Sequence, residues 1–364
     1  MRRNACINSR RRFYFSWELS RVGCQLGAWR YNSGSFLVSS YSSQTRRNEV
    51  DVENNAQDVA MITFEDMLAK LRSLQLLDAL LSDYTTGAHI RWGTNALASL
   101  GAGYAPADEI KAEFLLPGLV LSRHKKRVDM QSERTKSFGE VFTPFSVCKT
   151  MTDHADEVWF GRPNVFDDPI APIVFPQGKT WEAYVKEKRL EITCGEAPFL
   201  TTLYDSATGE EKPTHERVGF LDRKLRVVRE NTRSIEERVE WALRACKAVY
   251  GYEIQGDSLL IARVNVLTAA LEFCESSRLE LNAPSLTVEE QQVEYGRFVD
   301  VIAKNLWQMD GLTGRVPYSR APSLFDFDDA WNPHSGEILP APCKIVDWRD
   351  NLKERDVVGL FCRD

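Results

Sequence analysis

The feature that most constrains this chain is an alternation between residues 189 and 271. Arg189 to Thr193 reads as a short strand, and Val227 to Tyr250 reads as a long amphipathic helix through Val239, Leu243, Cys246 and Val249. Gly251-Tyr252-Glu253 then reads as a second strand ending in an acid, before an apolar helix through Leu259, Leu260, Ala262, Val264, Leu267 and Leu271. Strand, helix, strand, helix is a βαβα unit, which closes only as parallel strands with the helices laid on the sheet. The fold class expected is therefore α/β. Ligands of such sheets rest at the carboxyl ends of the strands. Leu190 to Leu200 stands there, with Glu191 near the strand end and Gly195 where the backbone must bend and a ligand can approach closely.

The flanks complete the expectation. Residues 1–47 hold nine arginines and a single acid, Glu18, so residues 1–58 read as a basic flexible tail and polar linker. Thr63 with Asp66 has capping-box spacing. Met67, Leu68, Leu71, Leu74, Leu77, Leu80 and Leu81 follow at helical intervals, which predicts one core-facing helix of about five turns opening a helical region over 59–138. A helix is expected from Val147 to His154 and a Pro-rich irregular excursion over 161–180. Another helix is expected over 287–309, with Phe298, Ile302, Leu306 and Met309 on one side. Lys344 to Trp348 reads as a short strand carrying the acid Asp347.

Composition narrows the function. The chain has 364 residues and a net charge of −6, so a nucleic-acid contact requires a local basic surface. The run Arg123-His124-Lys125-Lys126-Arg127, with Arg134 and Lys136, is the candidate for phosphate contact. No apolar run reaches the roughly 20 residues of a membrane span. The eight cysteines form no CxxC pair, so reduced structural thiols in a cytoplasmic protein are expected, with no metal site.

Three segments in order carry a family resemblance. Gly139-Glu140-Val141-Phe142-Thr143-Pro144 matches a GxxFTP pattern. Glu191-Ile192-Thr193-Cys194-Gly195-Glu196-Ala197-Pro198-Phe199-Leu200 lies on DPACGSGxFL without a gap, with Ala197 departing from its second Gly. Gly251-Tyr252-Glu253 and Leu260-Ile261-Ala262-Arg263-Val264-Asn265-Val266 are similar to GxE followed by LARxNL. Leu221-Asp222-Arg223-Lys224-Leu225 and Trp307-Gln308-Met309-Asp310-Gly311-Leu312 add to the likeness. This set resembles the N6-adenine DNA methyltransferases of restriction–modification systems, the type I modification subunits above all, over roughly residues 85–350.

The resemblance implies a Rossmann-like S-adenosylmethionine-dependent methyltransferase sheet over 139–364. It implies that Phe142, Thr143 and Pro144 close over the cofactor. Glu191, Thr193, Cys194 and Gly195 would cradle its methionine end, and Glu253, with Asp257 as substitute, would hold the ribose. Asp347 would take the place of an adenine-contacting acid. DNA and other restriction–modification subunits are the partners implied. The family's catalytic (D/N)PP(Y/F) motif has no counterpart in this sequence. The sheet is accordingly expected to be incomplete at its C-terminus, and the chain to be a cofactor-binding part without catalytic residues of its own. Two other classes compete: a nuclease component using Asp83 with Glu109-Ile110-Lys111 around a divalent metal, and a non-catalytic scaffold subunit.

Overall fold

The computed structural model describes residues 62–127, 131, 134–135, 143–318, 340–348 and 353–356. The tail and linker expected over 1–58 lie outside the described residues. The described residues fall in one compact unit.

A parallel sheet stands at the centre, as the alternation requires. Its strands are β1 (Arg189–Glu191), β2 (Val249–Glu253) and β3 (Leu306–Gln308), in that spatial order. Glu191 pairs with Gly251, and Glu253 with Gln308. Between β1 and β2 run helices α5 (Phe220–Asn231) and α6 (Ile235–Cys246). Between β2 and β3 run α7 (Gly256–Glu280) and α8 (Val288–Asn305). These four helices pack on one another, and α7 and α8 lie against β2 and β3. From Gly256 to Leu271 every residue of α7 is buried, so α7 is the hydrophobic axis of the molecule.

The two-residue period of the strands sorts the faces. Val249 and Leu306 join the helical core. Tyr250, Tyr252 and Trp307 point to the other face, where they meet Met309, Val316, Cys343 and Ile345. Ile345 belongs to β4 (Lys344–Asp347), which pairs antiparallel with β5 (Lys353–Asp356) in a separate two-stranded ribbon.

Three expected helices are corrected. The helix from Thr63 keeps its capping box but breaks into α1 (Phe64–Ser73) and α2 (Leu77–Leu81), with Gln75 left-handed at φ 56°. All seven apolar positions are buried, so the spacing marked burial and not continuity. The helix over 227–250 is two helices and the start of β2. It breaks at Thr232–Ser234, where the Ser234 hydroxyl accepts the Glu237 N–H at 3.2 Å and begins α6. The helix over 287–309 stops at Asn305, and Leu306–Gln308 forms β3. The excursion over 161–180 is irregular as expected. The helix expected at Val147 is α3 (Phe145–Phe160), followed by the short α4 (Trp181–Val185).

Beyond α2, residues 82–127 run in turns, short 3-10 turns and isolated bridges rather than further long helices. This region is no separate domain. Leu71, Leu80, Ile90, Trp92 and Ile110 share the core with α7 and α8.

Candidate functional site

The site is built where β1 and β2 end side by side. After Glu191 the chain turns back on itself, and the Glu191 carboxylate accepts the N–H groups of Leu200 at 3.1 Å and Phe199 at 3.4 Å. Thr193, Gly195 and Ala197 take positive φ angles of 47°, 55° and 63°. Ala197 thus holds a left-handed conformation at the position where a Gly would adopt it freely. Its methyl is fully buried, so packing holds the residue in that conformation. Cys194 donates its N–H to Tyr252 O at 2.8 Å and fastens the turn to β2. A Cβ on Gly195 would meet no atom within 4 Å, so the turn has open space beside it.

Glu253 closes the arrangement. One carboxylate oxygen accepts the Gly195 N–H at 2.9 Å; the other accepts those of Ile254 at 2.9 Å and Gln255 at 3.1 Å. The acid that ends β2 therefore holds the turn that follows β1. Both acids are buried. Burial pushes the Glu191 carboxyl well above the usual range, and the nearby Glu253 charge adds to the shift. Burial raises Glu253 as well, against the three N–H groups that favour its charged form.

Asp257 sits at the start of α7 and is occupied. Arg134 approaches it at 2.9 Å and Lys126 at 3.7 Å, and these cations hold its carboxyl below the usual range despite burial. Part of the basic run therefore faces inward, while Lys125 and Arg127 stay exposed. Arg123, Lys126 and Arg134 are only 6%, 6% and 3% exposed. They clasp the protein's own groups: the Arg123 backbone N–H donates to Glu196 Oε1 at 2.5 Å, and Arg134 reaches Asp257 and Ser258.

Thr143 and Pro144 lead directly into α3, with Pro144 at its N-cap. Cys148, in the first turns of that helix, is buried, and burial pushes its thiol up, with the Glu191 charge adding to the shift. Phe142 lies outside the described residues. Asp347 is not brought to the site. It bonds Lys188 at 2.7 Å, one residue before β1 begins, and belongs to the antiparallel ribbon. The nuclease candidates are engaged separately: Asp83 accepts from Thr86, and Glu109 accepts the His89 N–H. Among the described residues no group of three His, Cys, Asp or Glu is placed to hold a metal. Nor is any helix among them long and apolar enough to cross a membrane.

Sequence reasoning missed two contributors. Glu196 is buried and accepts the Tyr204 hydroxyl at 2.7 Å, while Asn265 donates to Glu196 O at 2.9 Å. Gln255 follows Glu253 by two residues and is 3% exposed. Nothing in the sequence marked Gln255.

Comparison of the chain with models of known protein families, with curated proteins and with solved structures finds no match.

Proposed function

We propose that this chain binds S-adenosylmethionine at the joined ends of β1 and β2, as the cofactor-binding part of an adenine-N6 DNA methyltransferase of a restriction–modification system. The observation that carries the cofactor reading is the Glu253–Gly195 hydrogen bond. It ties an acid at the end of one parallel strand to a small-residue turn after its neighbour, beside open space. A ribose needs a carboxylate that accepts its hydroxyls, and the rest of the cofactor needs a backbone it can approach closely.

The donor set fits. A carboxylate has about four lone-pair sites, and three N–H groups reach Glu253, which leaves room for a ribose hydroxyl. Glu191 accepts two N–H groups and keeps capacity for the methionine ammonium. A cation arriving there opposes the effect of burial and returns the carboxyl to its charged form. When bound, the cofactor supplies the methyl group. The DNA part of the reading rests on the resemblance of the ordered motifs, and no residue of this chain is assigned to chemistry on the base.

Isothermal calorimetry with S-adenosylmethionine tests the site. The parent chain is expected to bind, and Glu253→Ala to bind at least about tenfold more weakly, the equivalent of one charge-assisted hydrogen bond. Equal affinity in the two proteins, or no binding by the parent, would sink the cofactor assignment.

A further inference from the structure

Two segments far apart in sequence meet on the turn that follows β1. From one, the Arg123 backbone N–H donates to Glu196 Oε1 at 2.5 Å; from the other, the Tyr204 hydroxyl donates to Glu196 Oε2 at 2.7 Å. Asn265 of α7 joins them, donating to Glu196 O at 2.9 Å and to the Tyr204 hydroxyl at 3.1 Å. Glu196 is thus the grip by which both segments hold the 194–197 turn.

His124 is where the two segments touch each other. Its ring meets the Tyr204 ring edge-on, with centroids 5.2 Å apart. It also lies so close on the Gly209 backbone that a Cβ there would collide with the ring. Nε2 stands 3.4 Å from the Ser122 hydroxyl, while Nδ1 is buried and has no hydrogen-bond partner.

This setting suits a neutral imidazole and not a charged one. A neutral ring has one donor nitrogen, and Nε2 can turn it to Ser122. An imidazolium donates from both nitrogens, and its second N–H would be sealed away from any acceptor. The acids nearby are engaged or exposed. Glu196 is taken by Arg123 and Tyr204, Glu210 pairs with Lys212 at 2.9 Å, and Asp205 accepts the Ala207 N–H at 2.7 Å. Glu211, bridged to Tyr204, is exposed. Burial opposes the charged ring, and Lys125 beside it on the chain repels it further, so both hold its pKa below the ordinary value.

We propose that His124 is the proton-sensitive latch of a clamp on the turn after β1: its protonation parts the 122–125 and 204–211 segments and loosens their grip on Glu196. The inference stands on these contacts and not on the cofactor reading; whatever ligand the turn takes, the clamp sets how firmly the turn is held. The sign follows from the lowered pKa. The latch contributes its full stability above the ordinary histidine value of about 6.5 and loses it as pH falls through the lowered one.

Hydrogen exchange of the ligand-free full chain, read by mass spectrometry at pH 5.5 and 7.5 and corrected for intrinsic rates, tests the latch. The reporting amides are Asp205, Gly209 and Lys212, bonded to Glu210 O, Asp205 O and Leu203 O, with Ala197, bonded to Cys194 O, inside the turn. Opening in both places is expected to rise severalfold at pH 5.5, up to about tenfold, the limit for a histidine taken one unit below its ordinary value. His124→Phe keeps a ring in place but takes no proton, and its opening is expected to be equal at the two pH values. His124→Gln, equally insensitive to protons, gives the same reading should the Phe variant fail to fold. Glu191 and Glu253 are common to all three proteins, so their own response to pH cancels in the comparison. A parent whose 204–212 amides open alike at both pH values overturns the proposal, as does a variant that keeps the parent's response. Opening of 204–212 that leaves Ala197 protected overturns the clamp on the turn.

Discussion

Glu191 and Glu253 set a pH dependence that belongs to single residues. Burial raises both carboxyls above their ordinary value of 4.5. A carboxyl with a raised folded pKa holds its proton longer in the folded chain than in the unfolded one. Stability from such a group is present below the unfolded pKa and falls as pH rises toward the folded one, by at most about 1.4 kcal/mol per pH unit for one proton. Asp257 and Asp153 are shifted downward, so their contributions change only below about pH 4, outside the neutral window. His124, its pKa lowered by burial, shifts stability the opposite way in this window and is common to both proteins, so the parent is expected to lose more unfolding free energy, or gain less, from pH 5 to pH 7 than Glu191→Gln. Denaturant titrations at pH 5, 6 and 7 decide this, since parallel slopes for the two proteins would remove Glu191 as the source. At this scale the sequence showed where acids and small residues stood. It did not show that both acids would be sealed by backbone N–H groups, because donors such as Gly195 and Leu200 reach them only when the chain folds back.

Among the elements, apolar spacing located buried faces better than it located ends. Met67 to Leu81 are buried at every position expected, but two helices share that stripe. The break between α5 and α6 had a local signal, Ser234 three residues before Glu237, which is the spacing of an N-cap. Ser234→Ala is expected to cost about 1 kcal/mol, typical of a lost N-cap, while Ser276→Ala, away from any helix start, costs less. Urea midpoints for the two variants compare them directly; an unaffected Ser234→Ala would mean that tertiary packing alone starts α6. The end of α8 carried no such signal. Leu306, Trp307 and Gln308 continue a helical stripe in sequence, and they become β3 because β2 offers them a parallel ladder.

For the whole molecule, the decisive fact is that the region before the sheet shares its core. The 91–93 segment lies across the start of α7: Gly256 donates its N–H to Trp92 O at 2.9 Å, and a Cβ on Gly256 would collide with Arg91 O. Gly256→Ala is expected to destabilise the protein by more than about 2 kcal/mol, because backbone rather than a movable side chain stands in the way. Thermal unfolding reads this, and an unchanged Tm would show that the segment yields. The sequence by itself determined the α/β alternation, the parallel pairing, the buried stripes and the candidacy of Glu191, Gly195 and Glu253, since all of these follow from local periodicity and residue type. Only the tertiary structure decided that Lys126 and Arg134 turn inward to Asp257, and that Asp347 lies away from the site. Those outcomes depend on which groups meet across more than 50 residues of chain, as with Arg134 and Asp257 at a separation of 123. No local pattern encodes such a meeting.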